Sequence, residues 1–120
     1  MKANEPTING RVYTDGALQK AVDAFKNREA PMLGELAPND YGTEIDLDNA
    51  SHEVLDVCLD DGYLSVEVNP LDTPNGKIIE EMGEQNLQPS PRFIGQLNED
   101  NTVDIQGLVT FDVLLANPEQ

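Results

Sequence analysis

One cysteine, one histidine and no tryptophan occur among the 120 residues. A lone Cys58 excludes an internal disulfide framework and any cysteine-rich zinc module. A lone His52 leaves no HExxH pair, so neither a metal nor a cofactor is expected. Basic residues are scarce too: seven Lys and Arg face 23 Asp and Glu, a formal charge of −16. A body this acidic repels phosphate backbones, which argues against a nucleic-acid partner. Long apolar runs are also missing. No stretch approaches the roughly 18 consecutive apolar residues that cross a bilayer. The opening MKANEPTING holds no apolar signal segment, so no membrane partner and synthesis in a reducing cytoplasm are expected.

What remains suits one folded domain. The chain is 38% apolar, enough to build a core without staples at this length. Its charge is uneven. Residues 1–28 sum to +2, whereas residues 29–120 hold only Lys77 and Arg92 against 20 acids and sum to −18. Such an excess keeps a surface solvated, or offers a face to a basic protein partner.

Residues 1–13 read as an extended lead-in with a turn at Asn9-Gly10. They precede a single domain over 14–120. Thr14 or Asp15 can cap a first helix, and Leu18, Ala21, Val22 and Phe25 fall on one stripe. Pro31 marks a boundary after it. Met32 to Leu36 is a short strand candidate, and Ala37 to Thr43 a loop. The clearest β signal follows. Leu55, Val57 and Leu59 alternate with polar residues, Asp60-Asp61-Gly62 makes a tight turn, and Leu64, Val66 and Val68 alternate on the return. Thr73 and Pro74 open a second helix whose stripe is Ile78, Ile79 and Met82 and whose terminator is Gly83. Strands near 92–97 and 103–115 flank a turn at 98–101. Interleaved helices and hairpins predict an α+β fold with an antiparallel sheet or barrel.

Few constellations carry chemistry. Asp46, Asp48 and Asn49 hint at an oxygen cage. An EF-hand loop begun at Asp46 needs Gly and Glu where Ser51 and Val57 stand. Thr73 to Lys77 lacks the paired glycines of a phosphate loop. Any serine hydrolase here would have to use His52 as base, with Ser90 the candidate nucleophile. Pro91, directly after Ser90, supplies no N–H for an oxyanion hole. Ser90 otherwise reads as a loop serine, and His52 as a hydrogen-bonded edge histidine.

The order of landmarks resembles the prohead core proteases of tailed bacteriophages, distant relatives of the herpesvirus assemblins. Asn9-Gly10-Arg11-Val12-Tyr13 resembles that family's N-G-R-x-Y opening. Gly34-Glu35-Leu36 resembles its G-E-L, and Ser51-His52 its S-H. Leu71 to Ile78 is similar to its L-x-T-P-x-G-K-I. Ser90 and Arg92 fall within its G-x-S-S-R-G, and Thr110-Phe111-Asp112-Val113 with Asn117-Pro118 resembles its closing T-F-D-x-V-x-N-P.

The resemblance implies a compact antiparallel β-barrel or sandwich with two flanking helices. It also implies lost chemistry. Where the family has D-H-P this chain reads Ala37-Pro38-Asn39, so Pro38 occupies the position of the catalytic histidine. His52 matches the secondary histidine, and a serine without a base is a weak nucleophile. The expectation is a catalytically degenerate member acting as a capsid accessory protein, as decoration, cement or another head-assembly component. Its partners would be the major capsid protein, other phage head proteins or further copies of itself on the shell. It would reside in the host cytoplasm during assembly and afterwards in the virion capsid. Asn9, Arg11 and Tyr13 in the lead-in are the candidate partner contacts. The competing expectation is a serine-type maturation protease that cleaves scaffold and capsid proteins through Ser90 and His52.

Overall fold

The computed structural model describes residues 1–7, 10–38, 42–83 and 86–115. Helix α1 (Asp15–Lys26) begins where Thr14 accepts the Ala17 N–H on its hydroxyl, satisfying one orphan donor of the first turn. Leu18, Ala21, Val22 and Phe25 are all buried. They press the helix onto the sheets behind it, mostly against the last strand. Helix α2 (Pro74–Met82) starts with the Thr73 hydroxyl on the Gly76 N–H. It stops at Gly83, whose φ of +80° suits a residue without a side chain. Only Ile79 of its expected stripe is buried; Ile78 is exposed.

The strands are β1 (Met32–Glu35), β2 (Ala50–Asp60), β3 (Tyr63–Pro70), β4 (Leu87–Leu97) and β5 (Val103–Leu115). They form a three-stranded antiparallel sheet in the order β1-β2-β3 and a two-stranded β4-β5 sheet. The fold is α+β. Leu36 bridges Val113 in parallel and joins the sheets along one side, but among the described residues they do not close into a barrel. Asp61 and Gly62 both have positive φ, as a two-residue type I′ hairpin turn requires.

Two strand expectations need correction. In β2 the alternation breaks, because Val54 pairs with Val68 and Asp56 with Glu67, leaving Leu55 as an extra residue. This bulge turns Leu55 outward, 44% exposed, and buries Val54 completely. The second is Ser90, which stands within β4 opposite Asp112 rather than in a loop. Prolines on both sides fit there because, among the described residues, β4 pairs only with β5. Residues two apart aim their nitrogens the same way, so Pro89 and Pro91 withdraw donors from one edge of the strand.

The lead-in has no apolar period, yet it docks against both hairpins. Leu64 donates to the Met1 carbonyl (2.8 Å) and Ala3 to the Gly62 carbonyl (2.7 Å) at one turn. Val12 donates to the Asn101 carbonyl (2.8 Å) and accepts from Val103 (3.1 Å) at the other. Tyr13 is 1% exposed within the core, edge-on to Phe93 at 6.1 Å. The core itself joins Leu18, Val22 and Phe25 to Val54, Val57, Leu64, Ile105 and Phe111.

Candidate functional site

Strands β1, β4 and β5 and the segment before β2 enclose a polar cluster drawn from four distant stretches of sequence. Arg92 on β4 is 2% exposed. Its Nε and Nη2 bond the two carboxylate oxygens of Asp112 on β5, each at 2.9 Å. Nη2 also donates to Glu35 Oε2 on β1 at 2.9 Å. Nη1 donates to the carbonyls of Glu44 (3.1 Å) and Gly42 (3.3 Å). Every guanidinium N–H is thereby used, the condition under which a buried cation is tolerated.

The carboxylates are equally engaged. Asp112 Oδ1 accepts the Glu35 backbone N–H at 3.1 Å. Glu35 accepts from the Asp46 N–H (3.2 Å) and the Asn49 side chain (2.9 Å), so it pins segment 42–49 to β1. Burial opposes the charged form of Glu35. Bonds from Asn49, Arg92 and Asp46 outweigh that cost and hold its carboxyl below the usual range. Burial pushes Asp112 upward despite the partly compensating Arg92. Burial likewise opposes the charge on Arg92, and the two carboxylates more than restore it.

His52 adjoins this cluster, fully buried on β2. Its Nε2 lies 2.8 Å from the Phe111 carbonyl and its Nδ1 lies 2.6 Å from Ser51 Oγ. A carbonyl cannot donate, so Nε2 carries the proton and Nδ1 accepts from the Ser51 hydroxyl. Burial lowers the His52 pKa and keeps the ring neutral. Gly34 faces His52 across the β1-β2 pair. A methyl at position 34 would overlap both the His52 ring and the Phe111 carbonyl.

Ser90 is buried, and both ring nitrogens of His52 are committed elsewhere, so these two are not joined as nucleophile and base. Ser51 does meet an imidazole nitrogen, but both residues are wholly shut from solvent, where no substrate can approach. Pro38 is buried. The preceding Ala37 donates to the Val113 carbonyl at 2.8 Å, and Val113 pairs with Pro89, the residue before Ser90. Of the lead-in candidates, Tyr13 belongs to the core, Arg11 is half-buried with its guanidinium 5.6 Å from the Phe93 ring centre, and Asn9 lies outside the described residues. Among the described residues no cluster of three His, Cys, Asp or Glu side chains is disposed to hold a metal, and no helix is long and apolar enough to cross a membrane.

Sequence reading met Glu35, Arg92 and Asp112 only as letters within motifs and gave them no structural role. One signal was available: Arg92 is one of two cations in a 92-residue stretch summing to −18, and apolar residues follow it. A scarce cation in that setting invites burial among carboxylates. Comparison with family models, curated proteins and solved structures finds no match to this chain.

Proposed function

We propose that this chain is a head-assembly or capsid accessory protein built on a prohead-protease-like fold without proteolytic chemistry. The observation that carries the reading is convergence. Gly34-Glu35, Ser51-His52, Ser90 with Arg92, and Thr110-Phe111-Asp112 are the segments that resemble the protease family. Glu35, Ser51, His52, Arg92, Phe111 and Asp112 are linked by buried hydrogen bonds, and Ser90 is the strand partner of Asp112. Pro38, where the family places its base, sits beside the β4-β5 segment that carries Ser90. That residues spread from 34 to 112 lie together supports reading these segments as one pattern rather than as scattered coincidences. A proline at the base position and a fully bonded His52 leave Ser90 without an activating group.

The test has two arms. Native particles analysed by mass spectrometry should contain the chain in stoichiometric amount with the major capsid protein. The purified protein should show neither self-cleavage nor labelling by a serine-directed fluorophosphonate. Stoichiometric labelling of Ser90, abolished by His52→Ala, would replace this reading with a working maturation protease. Absence of the chain from both particles and assembly intermediates would remove it from the head.

A further inference from the structure

The β3 strand is an edge with an unfinished neighbour. At its start, Leu64 donates to the Met1 carbonyl, and the Met1 amine donates to the Leu64 carbonyl at 3.3 Å. The polar backbone groups of Leu64 therefore face away from β2. Period-two geometry turns those of Val66 and Val68 the same way. Beyond Leu64, no strand pairs with that edge among the described residues. Beside it runs a groove of about 420 Å³, walled by Leu64, Val66 and Val68 on one side and by Leu87, Pro89 and Val113 on the other. The β4 wall cannot complete a ladder there, because Pro89 and Pro91 lack N–H groups. The side chains it turns to the groove, Leu87 and Pro89, are apolar.

The outer face of the same edge is electrically unbalanced. Asp56 and Glu67 stand directly opposite each other across β2 and β3, an unfavourable like-charge pairing. Both are exposed, and among the described residues no cation forms an ion pair with either. An added strand would place alternate side chains in the groove and the others beside Glu67.

We propose that the open edge of β3 binds an extended segment of a partner protein as an added strand, one that alternates apolar with lysine or arginine residues. The apolar side chains fill the groove against Leu87, Pro89 and Val113. The cations relieve the Asp56–Glu67 pair. A second copy of this chain is a poor occupant, since its net charge of −16 would add carboxylates where cations are wanted. Backbone bonds to Val66 and Val68 supply affinity, and the alternation supplies selectivity. The proposal does not depend on the head-assembly reading.

The probe is a capped heptapeptide of alternating Val and Lys, added to the isotope-labelled full chain and followed by amide NMR. The Val66 and Val68 amides should shift, and their hydrogen exchange should slow by at least about tenfold at saturation, as closure of an edge demands. Methylation of alternate peptide nitrogens should abolish the effect, and a Val-Glu peptide should leave the spectrum unchanged. Glu67→Lys should weaken the Val-Lys peptide by about threefold to tenfold, the worth of reversing one exposed charge. Unmoved Val66 and Val68 amides, or equal binding of the Val-Glu peptide, would overturn the proposal. The same shifts on raising protein concentration alone would assign the edge to self-association and overturn it too.

Discussion

Replacing Arg92 with Met keeps most of the side-chain volume and, among the described residues, removes the one cation that pairs with Asp112 and Glu35. Two buried carboxylates then lose their charge partner, and the Gly42 and Glu44 carbonyls lose their donor. Removing one member of a buried ion pair costs about 3–5 kcal/mol, because the remaining charge stays desolvated. With a urea dependence of about 2 kcal/mol per molar for a protein this small, the midpoint should fall by about 1.5–2.5 M. That loss is a large fraction of the roughly 5–15 kcal/mol that stabilises a typical domain. The deficit also carries a pH signature. Asp112 is already raised by burial, and without Arg92 only the Glu35 N–H is left to oppose that rise, so its folded pKa climbs further above the unfolded one. A raised carboxyl costs stability above its folded pKa, and the cost fades as protons bind below it. Urea titrations of the parent and Arg92→Met chains at about pH 7.5 and about pH 5 should therefore show the gap narrowing in acid. A loss within about 1 kcal/mol of the parent, the scale of an ordinary surface change, would refute the triad. So would a gap that ignores pH.

Three further outcomes follow from neighbouring residues. Gly34→Ala drives a methyl into the His52 ring and the Phe111 carbonyl, so it should cost about 1–3 kcal/mol of overpacking in urea unfolding. Val54→Ala should cost about 1–3 kcal/mol by cavity formation, whereas Leu55→Ala at its 44% exposed neighbour should move the midpoint far less; reversed effects would place the bulge elsewhere. Burial holds the folded pKa of His52 below the ordinary imidazole value of about 6.5, so unfolding takes up a proton in the window beneath that value. The stability conferred by neutral His52 is present above it and declines as pH falls through the window. His52→Gln, measured by the same titrations from about pH 7 to pH 5, should flatten that slope.

Local chemistry made much of the fold legible. Thr14, Thr73, Pro74 and Gly83 delimit the helices through capping rules that act within a few residues. Asp61-Gly62 sets the β2-β3 turn by its backbone freedom. Reading failed where the deciding partner was remote. Pro89 and Pro91 suggested a loop, and nothing nearby announces that β4 has an open edge on which lost donors are tolerated. Alternation aligns Leu55 with Val57 and Leu59, because a bulge changes its phase without leaving a mark in composition. The Arg92–Asp112–Glu35 cluster joins positions up to 77 residues apart. No spacing rule links such positions, and only motif resemblance put the letters side by side.

The docking of the described lead-in residues implies an order of events. Met1 meets Leu64, 63 positions further along the chain, and Val12 meets Asn101 and Val103. Each anchor needs a finished hairpin turn to grip. Closing such long loops early would cost entropy before any contact compensates for it. Loop-closure cost therefore predicts that these residues find their place late, with Tyr13 sealing the interior after β2-β3 and β4-β5 have formed. Detachment follows the reverse route. The Ala3 and Val12 amides should exchange through a small opening that leaves Val57 protected, so loss of this clasp precedes loss of the fold.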